Sequence, residues 1–225
     1  MSETGSPRLV TAAVLLIGDE ILSGRTKDAN LNFIATYLGD IGIQVREARI
    51  VIDDRDKIAV AVNALRSAYD YVFTTGGIRH YDETGGEFTE ARQRMARIPA
   101  GATLIPNSVS KAPGFQLENV FVMAGIPIIV QVMMDALADR LEGGARMISK
   151  TIDCFVGESA VADELGAIQE RYPSVGIGSY PFFRDKQYGT SLVLRSVESD
   201  QLDEALKATF DLAVSVGGKP VERGG

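Results

Sequence analysis

Apolar residues reach this chain in blocks whose spacing changes from one block to the next. From Leu9 the run LVTAAVLLIG is almost without polar side chains, too short to cross a membrane but suited to a parallel strand covered on both faces. After the polar stretch DEILSGRTK, read as a loop, the segment DANLNFIATYLGDIG sets Leu31, Ile34, Ala35 and Leu38 on one helical face. Asp28 is its candidate N-cap and Gly39 or Gly42 its stop. IQVREARIVI then alternates as a strand does, DDRDKIAVAVNALRSAY returns to helical spacing behind an aspartate, and YVFTT is a third, β-branched strand. Strand, helix, strand, helix, strand predicts a doubly wound α/β sheet with right-handed crossovers.

The pattern continues with a helix EFTEARQRMARI, a short strand TLIPN and a hairpin in GFQLENVFVMAG turning at Glu118-Asn119. A helix PIIVQVMMDALADRL follows, opening at Pro127. Gly143-Gly144 then marks a boundary, giving a first domain over 1–143 and a second over 144–225. In the second the order becomes strand (RMISKTIDCFV), helix (ESAVADELGAIQERY), two strands (VGIGSYPFF and GTSLVLRSV) and a last helix (SDQLDEALKATFDLAVSV). That is a small α+β domain, with the tail GGKPVERGG read as flexible.

Composition narrows the function classes. With 225 residues, 23 Lys+Arg, 30 Asp+Glu and a net charge of −7, the chain is an unpromising nucleic-acid binder. The second domain, with 9 Lys+Arg against 12 Asp+Glu over residues 143–225, is no better suited. One cysteine, Cys154, and one histidine, His80, leave no zinc site of the Cys/His kind and no internal disulfide, while a carboxylate-bound hard cation stays open. No window offers 18 uncharged apolar residues and MSETGSPRLV has no signal core, so a cytoplasmic protein without a membrane span is expected.

In an open parallel sheet a ligand lies beyond the carboxyl ends of the strands. The residues there are Gly18-Asp19-Glu20, Asp53-Asp54, Thr74-Thr75-Gly76-Gly77 and Gly125-Ile126-Pro127. The last group opens a helix, whose first N–H groups suit an anion. Carboxylates beside bare backbone suggest a phosphorylated ligand with a divalent cation. Each piece also has a plain structural reading: Asp53 or Asp54 as a helix cap, the glycines as a turn, Asp19 and Glu20 as a solvated loop, and the methionines as core filler.

GDEILSGRTKDANLNFIATYLGDIGIQV, VIDDRD, DYVFTTGG and ARQRMARIPAGATLIPNSVSKAPGFQLENVFVMAGIP together resemble the MoaB/Mog molybdopterin-binding domain. They are closest in pattern to its branch in CinA-like (competence/damage-inducible) proteins. The later GESAVA and IGSYP segments resemble the KH-like domain of that branch, although no G-x-x-G loop joins two helices there. The resemblance implies a ligand phosphate or metal near Asp19 and Glu20, with Gly18, Ser23, Asp28 and Asn30 close by. It makes Asp53 the acidic residue of the chemistry, so Asp53, Asp19 and Glu20 are the implied catalytic and metal-holding set. Thr75, Gly76 and Gly77 line the implied pocket, with Asn107, Lys111, Gly125 and Pro127 on its far wall and Lys111 as the cation for a diphosphate.

The family pattern carries, after the two glycines, an apolar residue, Gly-Pro-Thr, a spacer, Asp-Asp and a helix. None of this stands between Ile78 and Arg79, so a segment is either absent from this sequence alone or deleted from the protein. The resemblance implies three functions: metal-dependent (Mg²⁺, Mn²⁺ or Co²⁺) hydrolysis of a dinucleotide diphosphate such as ADP-ribose or FAD, adenylyl transfer to molybdopterin, or pterin or nucleotide binding without turnover. It also implies a homo-oligomer.

Overall fold

A computed structural model describes residues 8–77, 98–110, 112–184 and 186–223. The chain divides into two compact units, 1–145 and 146–225. The helix expected over EFTEARQRMARI lies almost wholly outside the described residues.

In the N-terminal unit six strands form one sheet. They are β1 (Val10–Ile17), β2 (Ile43–Val51), β3 (Tyr71–Gly76), β4 (Thr103–Ile105), β5 (Gly114–Leu117) and β6 (Val120–Met123), in the order β2-β1-β3-β6-β5-β4. The pairings β1 with β2, β1 with β3 and β3 with β6 are parallel, and β5 pairs antiparallel with both β6 and β4. The expected mostly parallel sheet is therefore present, with an antiparallel edge. The helices are α1 (Asp19–Leu22), α2 (Asn30–Asp40), α3 (Arg55–Ala68) and α4 (Pro127–Asp135).

Strand β1 explains its own composition. Ala12, Val14 and Leu16 pack with Ile34 and Leu38 of α2 and with Met133 and Met134 of α4, while Ala13, Leu15 and Ile17 pack on the other face with Ala61 and Leu65 of α3. Both sets are buried, so none of these six positions can be polar. Each large side chain there contributes about 1.5–3 kcal/mol relative to exposure.

Two turn signals hold in detail. The Asp54 carboxylate accepts from the backbone N–H groups of Asp56 and Lys57, which makes Asp54 the cap of α3. At the hairpin, Glu118 takes a φ of 52°, and the Asn119 amide donates to the Arg66 and Tyr69 carbonyls at the end of α3.

The start of β3 carries a titratable anchor. Asp70 accepts from the Thr11 N–H at 2.8 Å and the Thr11 hydroxyl at 2.8 Å, and it pairs with Arg8 at 3.2 Å. These contacts, the Thr11 N–H foremost, hold its carboxyl below the ordinary carboxylate pKa. A folded-state value below the unfolded one gives stabilisation that is complete above the unfolded pKa and disappears as the pH falls through the folded one. Asp70→Asn is expected to cost about 1 kcal/mol at pH 7, the low end because the group is partly solvated, and to shift the acid-unfolding midpoint. An unchanged acid limb in a circular dichroism titration would refute this.

The C-terminal unit is an antiparallel sheet of β7 (Ile148–Cys154), β8 (Gly176–Arg184), β9 (Gln187–Ser196) and β10 (Val221–Arg223), in the order β10-β7-β9-β8. Helices α5 (Ala162–Arg171) and α6 (Ser199–Ser215) supply Leu165, Ile168, Leu202, Leu206 and Leu212 to a core with Ile152, Cys154, Leu192 and Leu194. Three expectations are corrected here. The tail is not free, because Val221–Arg223 pairs with β7 and Arg223 reaches Asp153. The polar stretch after β1 begins with one helical turn, and the helix opening at Pro127 ends at Asp135 instead of running to Leu141.

Candidate functional site

The carboxyl ends of β2, β1, β3 and β6 lie side by side, and the backbone stitches them together. The Gly18 N–H donates to the Val51 carbonyl at 3.0 Å, and the Gly77 N–H donates to the Ile17 carbonyl at 3.2 Å. Gly76 and Gly77 have φ of 89° and 72°, which glycine adopts readily and other residues do not. A Cβ on Gly76 would fall on the Ile17 carbonyl oxygen, and one on Gly125 would lie 3.1 Å from the Gly76 Cα. Bare backbone from three glycines therefore stacks across β1, β3 and the segment after β6. Beside it Thr74 and Thr75 are buried, and the Thr74 hydroxyl has no partner.

Asn30 ties the start of α2 to this edge. Its Nδ2 donates to the Gly125 carbonyl at 2.8 Å, the residue is 5% exposed, and its Oδ1 is buried without a partner among the described residues. An orphaned buried acceptor next to bare backbone suits a ligand N–H or O–H, since leaving it unpaired costs about 1–3 kcal/mol. The pterin or nucleotide implied by the sequence is thus a chemical fit. Asp28 caps the helix start through the Leu31 N–H at 2.9 Å, and Pro127 opens α4 at the same edge behind Gly125 and Ile126.

The acidic residues are less convergent. The Glu20 carboxylate folds back over Gly18, Asp19 sits exposed in the single turn of α1, and Asp53 is half-buried after β2. Among the described residues no three Asp, Glu, His or Cys side chains are grouped so as to hold a metal ion. Asp19, Glu20 and Asp53 therefore do not make a cation site by themselves. Ser23 is exposed; its hydroxyl donates to the Glu20 carbonyl and accepts from Arg25.

Asn107 serves its own loop. Its Nδ2 donates to the Ser110 hydroxyl and the Ala112 carbonyl, and its Oδ1 accepts from the N–H groups of Val109 and Ser110. Lys111, His80 and the junction at Ile78-Arg79 lie outside the described residues. Sequence reading passed over the orphaned hydroxyl of Thr74, since a threonine in a buried strand carries no signal of its own. It also passed over Asp153, a carboxylate in the apolar strand β7, although a charge between Ile152 and Cys154 was a visible anomaly.

Comparison with known proteins gives the family. Residues 13–143 match the family model described as "Probable molybdopterin binding domain", and residues 146–213 match "FAD synthase, middle domain". A "Probable FAD synthase" of Caenorhabditis elegans is 26% identical over 92% of this chain and 50% of its own length. A "CinA-like protein" of Desulfosudis oleivorans is 30% identical over 74% of this chain and 51% of its own. The chain thus spans about half the length of these curated relatives. The alignment to the nematode protein runs over 263 positions, more than the 225 residues here, so that relative carries residues with no counterpart in this chain. The crystal structure of "the protein CinA with unknown function" from Thermoplasma acidophilum superposes with a TM-score of 0.52 at 28% identity. It covers 58% of this chain and 96% of its own. With the sheet, the glycine edge and a family match over more than half its length, the chain belongs to the molybdopterin-binding domain family of the MoaB/Mog type, in the CinA-like branch.

Proposed function

We propose that the glycine edge binds the diphosphate of a dinucleotide of the FAD or ADP-ribose type and that the protein hydrolyses it. The observation that carries this reading is the buried Asn30 Oδ1, without a partner among the described residues, beside the close-packed glycines Gly76, Gly77 and Gly125 at the strand ends, an acceptor that a ligand N–H or O–H would satisfy. The FAD synthase names of relatives over both units support the choice of dinucleotide.

In the reaction a water oxygen bonds to one phosphorus, the bridging P–O bond breaks, and two monophosphates leave. Asp53, with Asp19 and Glu20 at the neighbouring strand end, orients the water and takes its proton, while backbone N–H groups and Lys111 meet the developing charge. The reading includes a divalent cation, Mg²⁺, Mn²⁺ or Co²⁺, to which Asp19, Glu20 and Asp53 would contribute carboxylates. It also includes a homo-oligomeric cytoplasmic protein. No helix of the described residues is long and apolar enough to cross a membrane.

Chromatographic assay of FAD and ADP-ribose with each cation is the test. Release of FMN and AMP from FAD, lowered about 100-fold or more in Asp53→Ala, is expected. Turnover that persists in Asp53→Ala removes Asp53 from the chemistry. One observation favours a second reading, a pterin or nucleotide binder without turnover: the carboxylates of the described residues form no group of three. Saturable binding without product under every cation would establish it, whereas product formed only when molybdopterin is added with ATP would mean adenylyl transfer.

A further inference from the structure

Helices α5 and α6 cover one face of the C-terminal sheet through Ile152, Leu192 and Leu194. The alternate positions point the other way, and there the residues are not those of an ordinary solvated surface. Tyr180 is 52% exposed, with its ring lying over Gly178; the Phe182 ring lies over Gly189, and Phe155 meets it edge-on at 5.9 Å. Glycine beneath a ring lets the ring lie flat on backbone and turns its other face outward.

At the centre of the same face Asp153 is 4% exposed. The Ser191 hydroxyl donates to its Oδ1 at 2.5 Å, while Arg184 Nη1 and Arg223 Nε both reach its Oδ2, at 3.1 and 2.6 Å. Arg184 also lies 4.5 Å over the Phe182 ring. The two arginine side chains remain 46% and 53% exposed. Two guanidiniums on one carboxylate leave an excess positive charge, held in place by a buried anchor, in a unit that is otherwise acidic.

We propose that this sheet face is a binding site for a mononucleotide, a flat aromatic ring carrying a phosphate monoester, with the phosphate on Arg184 and Arg223 and the ring against Tyr180. Charge complementarity selects the ligand. A pair of arginines on an acidic unit suits one phosphate, whereas a polyanion needs a basic track. The outward face of Tyr180 supplies the stacking that a bare phosphate cannot use. This site shares no residue with the glycine edge and does not depend on hydrolysis there.

The test is calorimetric titration of the full chain with FMN, AMP, inorganic phosphate and a single-stranded oligonucleotide. Saturable binding of FMN or AMP is expected, about tenfold or more tighter than inorganic phosphate, and weakened about tenfold in Tyr180→Ala, which leaves the ion pairs intact. The charge-compensated variant Asp153→Asn/Arg184→Gln/Arg223→Gln should lose it, with circular dichroism confirming that the sheet persists. The proposal is overturned if neither nucleotide binds, if Tyr180→Ala or the triple variant binds as wild type, if inorganic phosphate binds as tightly, or if the oligonucleotide binds more tightly than either nucleotide.

Discussion

Gly76→Ala is expected to destabilise the N-terminal unit by about 2–4 kcal/mol and to abolish ligand binding at the strand ends. Two costs add. The φ of 89° lies outside what an L side chain adopts comfortably, worth about 1 kcal/mol, and the new methyl would occupy the position of the Ile17 carbonyl oxygen. That carbonyl accepts the Gly77 N–H, so moving it also breaks the stitch between β1 and β3. Gly101 supplies the control. Its φ is 83°, but a Cβ there meets none of the described residues within 4 Å, so Gly101→Ala isolates the conformational term at about 1 kcal/mol. Urea unfolding followed by circular dichroism measures both, since the chain has no tryptophan. Equal losses in the two variants would show that the glycine edge is not packed as described.

Much of this edge could be read before the structure, for physical reasons that differ from residue to residue. The unbroken apolar run of β1 announced burial on both faces, and that alone implied helices on both sides of a sheet. An aspartate before helical spacing announced a cap. Pattern could not say which aspartate capped, because Asp53 and Asp54 are equivalent until the backbone turns one of them toward the α3 N–H groups. The same limit governs the acidic residues of the implied site. Sequence places Asp19, Glu20 and Asp53 after neighbouring strands, but the direction of each carboxylate is set by tertiary contacts, and Glu20 turns back over Gly18. Asn107 was legible as polar and placed, yet its hydrogen bonds close its own loop. In the second unit the five longer elements followed from period alone. Strand β10 did not, because three residues carry no period, and what holds them is a ladder to β7 and an ion pair to a residue some 70 positions earlier.

The second large effect falls on that ion pair and should be asymmetric. Removing both arginines, as Arg184→Gln/Arg223→Gln, strands the Asp153 carboxylate at 4% exposure with only Ser191 as a close partner, and a loss of about 3–5 kcal/mol is expected. Asp153→Asn leaves the two cations instead. They are about half exposed and can swing into water, so a loss of only about 1–2 kcal/mol is expected. Combining all three changes should recover most of what the arginine pair of mutations lost, because the buried charge that made the loss large is gone. A double-mutant cycle in urea, read on the unfolding of the C-terminal unit, measures the three values. Near-additive losses would mean that Asp153 is adequately solvated without its arginines, and that the pair of guanidiniums is held on the sheet by Phe182 and the β10 ladder instead of by a buried anion.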